Sequence, residues 1–299
     1  MRSIRYARTA LSKFVSLTVI LLIVAGMALS TAVLPGTKPV LAAPPVVSIQ
    51  RVSVPNCEAN ASSSASSISA DGRYVAFYSS ATNLVSGDTN DFQDVFVRDC
   101  QTGETTRVSV DSTGAQSNGY SEYPCISAGG RYVAFMSNAT NLVAGDTNSR
   151  TDVFVHDRQT GETTRVSVDS TGAQGDRDSG YPSISADGRY VAFYSDASNL
   201  VTGDTNSRLD IFVHDRHMGQ TTWVSVDSTG AQSNNVSTNP SISADGRYVA
   251  FQSAATNLVA GDTNGTWDVF IHDCQTGETT RVSVDSTGAQ SNNVSTNPS

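Results

Sequence analysis

The chain has 299 residues, and its 28 acidic and 19 basic side chains give a formal net charge of −9. All 28 acidic residues lie after position 43, together with only 14 of the 19 basic ones, so residues 44–299 carry a net charge of about −14. A surface of that sign repels phosphate backbones and anionic lipid headgroups, which argues against nucleic acid as a partner.

The first 43 residues differ from the rest of the chain. They begin with Arg2, Arg5 and Arg8, continue through an apolar run of about 20 residues, and end in small residues before position 43. This order is typical of a secretory signal peptide, although the run is also long enough to be an uncleaved membrane anchor. Both interpretations predict that the remainder is exported, to the medium, the periplasm or the cell surface, with membrane contact only through this segment.

Residues 44–299 contain an internal repeat of 58 residues. The sequence GRYVAF begins at Gly72, Gly130, Gly188 and Gly246, and the segment VSVDSTGAQ recurs with the same step. Four whole units span about 65–122, 123–180, 181–238 and 239–296. Residues 292–299 repeat residues 234–241, which predicts a partial fifth unit and a C-terminally incomplete array.

Each unit is predicted to contain four short strands in chain order. A strand PSIS leads through the tight turn ADGR into RYVAFYS, whose two faces are both apolar, as in a strand covered on two sides. A long connection containing GDTN precedes the third strand DVFVHD, and the turn QTGE precedes the fourth, TTRVSV. The predicted fold is all-β: a β-propeller of four-stranded antiparallel blades, four full and one partial. An open β-solenoid is the alternative, but its repeats are usually much shorter.

The repeated residues SADGRYVAF and DVFVHDRQTGETTRVS resemble the repeat of TolB-type β-propellers, over about residues 51–299. The resemblance implies a propeller of about six blades that binds proteins, caps peptidases or holds ligands. It also implies that the blade motif itself is not catalytic. Two features depart from that family: Ala70, Ala186 and Ala244 stand where it usually has proline, and the connection between the second and third strands is longer.

The four units differ from one another mainly in two segments. One is the triplet before the third strand, and the other is the return segment between units. In a meander both emerge at the same end of the sheets, and loops on a rigid scaffold often carry binding residues. The predicted contact surface consists of Phe92, Tyr120, Tyr123, Arg150, Tyr181, Arg208 and Trp267. Unconstrained loop drift would explain the variation equally well.

The GDTN connection suggests calcium, because alternating Asp and Asn side chains supply the oxygen ligands that calcium prefers. The candidate ligands, at three positions in each of four units, are Asp88, Asn90, Asp94, Asp146, Asn148, Asp152, Asp204, Asn206, Asp210, Asp262, Asn264 and Asp268. The loop lacks further oxygen donors, since Phe92, Arg150, Arg208 or Thr266 stands at the next expected position. The favoured interpretation is therefore turn chemistry, in which Asp and Asn cap backbone N–H groups.

The remaining chemistry-bearing residues form no recognisable catalytic pattern. His156, His214 and His272 share one position of three different units, with Arg98 in the first, which places them too far apart to bind one metal ion. Four cysteines, Cys57, Cys100, Cys125 and Cys274, suit an oxidising compartment and allow one or two disulfides. No nucleophile elbow and no zinc-protease motif occurs.

These features predict an exported, non-enzymatic β-propeller that serves as a binding or scaffold module for a protein or glycan. Two alternatives remain open: a calcium-binding adhesion propeller, with Ca²⁺ as its only cofactor, and the non-catalytic propeller cap of a larger hydrolase.

Overall fold

A computed structural model describes Val52 and residues 58–299, so the predicted leader and Cys57 lie outside the described residues. The described residues form sixteen strands and no helix. The first sheet contains β1 (Ser63–Ile68), β2 (Tyr74–Ser79), β3 (Asp94–Asp99) and β4 (Thr105–Arg107). The second contains β5 (Ser121–Ile126), β6 (Tyr132–Ser137), β7 (Asp152–Asp157) and β8 (Thr163–Arg165). The third contains β9 (Ser179–Ile184), β10 (Tyr190–Ser195), β11 (Asp210–Asp215) and β12 (Gln220–Trp223). The fourth contains β13 (Ser237–Ile242), β14 (Tyr248–Ser253), β15 (Asp268–Asp273) and β16 (Glu278–Arg281).

Every sheet is an antiparallel meander with its strands in chain order, as the sequence predicts. The two middle strands pair residue for residue, so that Phe135 lies opposite Phe154 and Ala134 opposite Val155. All four of these side chains are fully buried, and the two phenylalanine rings stack with their centroids 6.0 Å apart. The middle strands are therefore covered on both faces, which the apolar run in YVAF predicts.

The hydrophobic core lies between neighbouring sheets. Val95 and Val97 of the first sheet pack in one cluster with Val133 and Phe135 of the second, and two further clusters repeat this arrangement along the chain. Each fully buried valine or phenylalanine stabilises the fold by about 1.5–3 kcal/mol relative to an exposed one. Since each sheet buries its faces only against its neighbours, the stability of a unit depends on the units beside it.

The ADGR turns connect neighbouring sheets through their backbones. The Ala70 N–H donates to the Ala128 carbonyl oxygen at 3.0 Å, Ala128 donates to Ala186 at 3.1 Å, and Ala186 donates to Ala244 at 2.9 Å. Proline has no N–H to donate. Ala70 and Ala186, two of the alanines that depart from the TolB-type repeat, therefore have a physical role here, because each supplies a hydrogen bond that proline could not make.

The units are arranged around a common axis. Ala65, Tyr123, Tyr181, Asn239 and Asn297, which are 58 residues apart in the sequence, all line a single cavity of about 310 Å³. Equivalent residues of a first and a fifth unit could not meet if the units were stacked in a line. The β-solenoid alternative is therefore wrong for the described residues, and the propeller prediction is confirmed.

The strand boundaries differ from the prediction in the first and fourth strands. The first strand starts before PSIS, at Ser121, Ser179 and Ser237 in the later sheets, two residues before the predicted unit boundaries. It contains a proline at a bulge, which is tolerated because it is an edge strand. The fourth strand is only three or four residues long, since the VSV segment leaves the ladder after one further hydrogen bond. No helix among the described residues is long and apolar enough to cross a membrane.

Candidate functional site

The two variable segments of each unit lie side by side at one end of the sheets. The Gln116 side-chain amide, in the connection after β4, donates to the Thr89 hydroxyl in the connection after β2, at 2.7 Å. The same bond joins Gln174 to Thr147 at 2.7 Å. We call this end, formed by the connections after the second and fourth strands, the variable end, and the opposite end, which carries the ADGR and QTGE turns, the constant end.

Phe92 and Tyr120 are brought together at the variable end. Their ring centroids are 5.0 Å apart in an edge-to-face arrangement, and Tyr120 is 49% exposed. Arg150 and Arg208 are exposed and Trp267 is half-buried, but each belongs to a different sheet. The predicted surface thus contains one aromatic pair and three separate side chains.

Tyr123 and Tyr181 have a different environment from the one predicted, because they lie within β5 and β9 and not in loops. Their rings stack at 4.3 Å and line the axial cavity. Tyr78 contacts Tyr123 with its ring tilted, at 5.7 Å, and Tyr194 stacks on Tyr181 at 5.3 Å. Hydrogen bonding to Tyr181 and burial raise the pKa of Tyr123, and burial raises the pKa of Tyr194, so both hydroxyls stay neutral at neutral pH.

Sequence reasoning missed Tyr78 and Tyr194, although a signal for them was present. The motif YVAFxS is constant except at x, which is Tyr78, Met136, Tyr194 or Gln252. A single variable position inside a constant strand indicates a side chain that faces something other than the shared core. Gln252 confirms this, because its side-chain oxygen accepts the Asn297 N–H at 2.8 Å beside the axial cavity.

In the first, second and fourth sheets, an arginine lies between the two aspartates of the GDTN connection. The Arg165 Nη1 atom is 3.4 Å from Asp146 Oδ1 and 3.3 Å from Asp152 Oδ2, and its side chain is only 9% exposed. Arg107 and Arg281 make the same pairs. The Asn148 side chain caps the Arg150 N–H at 3.0 Å, as a turn asparagine does. Burial raises the pKa of both Asp146 and Asp152, which the guanidinium opposes.

The third sheet has Trp223 where the others have arginine. Here Asp204 accepts a hydrogen bond from the Gln232 side chain at 2.8 Å, and Asn206 donates to Asp210 at 3.0 Å. In the described part of the chain, no three His, Cys, Asp or Glu side chains come together in an arrangement suited to a metal ion. A guanidinium already supplies positive charge in three of the four connections, which favours turn chemistry; calcium binding stays a prediction.

The histidines lie in separate sheets, as expected. His156, His214 and His272 are buried, and each Nδ1 atom lies 2.8–2.9 Å from a threonine hydroxyl of the neighbouring strand. Burial lowers the pKa of all three, so they are neutral structural groups near pH 7. Cys100, Cys125 and Cys274 are free thiols, so no disulfide joins these three.

No protein-family model and no curated protein sequence matches the chain. Solved structures similar to it include TolB from Acinetobacter baumannii, with 18% identity and a TM-score of 0.45 over 74% of this chain and 43% of that one. A putative TolB from Agrobacterium tumefaciens has 15% identity and a TM-score of 0.47 over 73% of this chain and 63% of that one. An oligogalacturonate lyase from Vibrio parahaemolyticus has 13% identity and a TM-score of 0.42 over 72% of this chain and 50% of that one. The antiparallel meanders and their arrangement around a common axis make the described residues a β-propeller of four-stranded blades, and the solved structures similar to it include TolB-type propellers.

Proposed function

We propose that this chain is an exported, non-enzymatic β-propeller that binds a protein or glycan partner through its variable end. The proposal rests on the Phe92–Tyr120 pair, which is partly exposed to solvent at the variable end. Exposed aromatic rings bury a large area on binding and lose little side-chain entropy, so they serve as anchors in many interfaces. The basic and apolar leader and the net charge of about −14 after it support export.

The scaffold beneath these rings is suited to such a role. The connection that carries Phe92 is held by the Asn90 side chain, which donates to Asp94 at 3.1 Å and to the Ser117 carbonyl at 2.9 Å. The connection that carries Tyr120 is held by the Asn138 side chain, which accepts the Tyr120 N–H at 2.8 Å. Two connections held by side-chain hydrogen bonds in this way lose little conformational freedom when a partner binds, which increases affinity.

The test is a variant with Phe92→Ser, Tyr120→Ser and Trp267→Ser. The wild-type chain is first screened against a glycan array and against extracted cell-surface proteins, and each hit is then purified and titrated directly. We expect the variant to bind the purified partner at least about tenfold more weakly with an unchanged melting temperature.

The matched control carries Gln101→Ala, Glu104→Ala and Gln159→Ala, three exposed residues of the constant end. It should bind as the wild type does. Equal binding by the variable-end variant, or loss of binding in the control alone, would overturn the proposal.

A further inference from the structure

Two of the interfaces between sheets contain an arginine stacked on a tyrosine at the constant end. The Arg158 guanidinium of the second sheet lies 4.5 Å from the ring centroid of Tyr74 in the first, and its Nη1 donates to the Gly130 carbonyl at 2.6 Å. Arg216 repeats these contacts on Tyr132, at 4.5 Å, and on Gly188, at 2.6 Å. The arginine that precedes each tyrosine in the sequence also lies over its ring, at 4.8 Å, so each tyrosine contacts two cations.

The interface between the third and fourth sheets keeps this frame but lacks the second arginine. The equivalent residue is Cys274, while Arg189 still covers one side of the Tyr190 ring at 4.7 Å. Gly246 has a φ of 76°, as Gly188 does, and it approaches Tyr190 as closely as Gly188 approaches Tyr132. The Gly246 carbonyl and the Tyr190 ring are therefore in place, but the arginine that contacts both groups in the other two interfaces is absent.

A cavity of about 410 Å³ occupies this position, lined by Tyr190, Gly246, Cys274 and Met218 among others. We call it the third-interface socket. Met218 is 66% exposed, and it replaces the threonine of the constant turn at Thr102, Thr160 and Thr276. Among the four units, the third alone departs from the QTGE turn, and its substituted residue, Met218, lines the same cavity. Two departures that lie 56 residues apart in the sequence meet at one place.

The charges around the socket suit a cationic guest. Asp215, Asp245 and Arg247 lie in its wall. Asp215 is paired with Arg189 at 2.6 Å and Arg247 with Asp273 at 2.7 Å, so Asp245 is the wall carboxylate that no arginine of the described residues neutralises. Cys274 is exposed, but partial desolvation of its thiol and the neighbouring Asp273 carboxylate raise its pKa, so it contributes no charge at neutral pH. The other units have glutamate at the position of Gln220, so the wall of this socket has one acidic group fewer. The neutral amide of Gln220 does not repel a cation.

We propose that the third-interface socket binds the guanidinium of an arginine side chain presented by a partner polypeptide. The guest would stack on the free side of Tyr190 and donate to the Gly246 carbonyl, as Arg158 and Arg216 do within the chain. A planar guanidinium can do both at once, whereas a compact, strongly hydrated ammonium fits this geometry less well. The exposed thioether of Met218 would contact the methylene groups of the arginine. This site lies at the constant end and does not depend on the proposed function of the variable end.

The test uses N-acetyl-arginine methylamide as the probe, with its citrulline analogue as the neutral isostere and its lysine analogue as the alternative cation. Binding to the full chain is followed through the methyl resonance of Met218 in protein labelled with ¹³C-methyl methionine. We expect the arginine probe to shift this resonance saturably, with affinity at least about fivefold higher than that of the citrulline probe.

Three substitutions make the test specific. Cys274→Arg should fill the socket from within and abolish the shift, whereas Cys274→Ser should retain it, since the thiol has no role in the proposal. Arg216→Cys should open a second socket between the second and third sheets and raise the number of arginine probes bound per chain, measured by equilibrium dialysis, from one to two. The proposal is overturned if citrulline binds as well as arginine, or if Cys274→Arg retains binding with the fold intact. Failure of Arg216→Cys to add a site overturns it even where Cys274→Arg does not fold.

Discussion

Replacement of Gly188 by alanine tests the contact that locks one sheet to the next. Gly188 has a φ of 76°, and a Cβ atom built on it would lie 2.1 Å from Cδ2 of Tyr132 in the preceding sheet. Gly172 provides a matched control, because its φ is 87° and a Cβ atom there would meet nothing within 4 Å. The two substitutions share the cost of a left-handed alanine and differ only in the contact with the ring.

The left-handed backbone costs an alanine about 1–2 kcal/mol, and this is the whole effect expected for Gly172→Ala. In Gly188→Ala the Tyr132 ring must also move, at an overpacking cost of about 1–3 kcal/mol. It would lose cation–π contacts with Arg131 and Arg216, at 4.8 Å and 4.5 Å, each worth about 0.5–1 kcal/mol. The free energy of unfolding should therefore fall by about 3–7 kcal/mol in Gly188→Ala.

The measurement is thermal unfolding followed by circular dichroism, supported by urea titration. In a folded domain of about 250 residues each kcal/mol shifts the melting temperature by about 2–4 °C, so we expect a loss of about 4 °C for Gly172→Ala and about 15 °C for Gly188→Ala. Adding Tyr132→Ala to Gly188→Ala should give less than the sum of the two single effects, since the ring is their shared contact. Equal losses for the two glycine variants would refute the interface geometry.

Three further predictions concern the buried charges. Arg165→Met should lower the free energy of unfolding by about 3–5 kcal/mol in urea titrations, because it leaves the Asp146 and Asp152 carboxylates buried without a cation. Arg131→Met should cost clearly less, because its side chain is 43% exposed and water screens its pair with Asp157; equal losses would contradict this ranking. Burial lowers the pKa of His156, His214 and His272 below 6.5, so the unfolded chain binds protons more tightly and stability is lost as the pH falls through that value. The melting temperature should drop between about pH 7.5 and about pH 5.5, and a variant with all three histidines changed to glutamine should drop less; an unchanged drop would assign it to other groups. Because a guanidinium lies between the aspartates of three GDTN connections, a chelator should change the melting temperature by less than about 1 °C, and a larger fall that calcium reverses would restore the calcium interpretation.

The sequence alone determined the repeat, the four strands of each unit and the arrangement of the turns. The step of 58 residues is visible because each unit packs the same apolar faces against its neighbours. Apolar residues therefore recur at the same positions of every unit. The alternation of tight turns and long connections also predicted that the variable segments share one end. The hydrogen bonds between Gln116 and Thr89 follow from that topology.

The tertiary structure decided which neighbours these residues have. Tyr123 and Tyr181 belong to the axial cavity and not to a loop, because the first strand begins earlier than its apolar core and bulges at a proline. Arg165 lies far along the chain from the GDTN residues it neutralises, so no local pattern could assign it to them. In the sequence, Cys274 and Met218 are separate substitutions at repeated positions of two different units. Only the contact between the third and fourth sheets brings them together in the third-interface socket. The repeat shows what the units have in common, whereas the contacts between units depend on how the sheets are arranged around the axis.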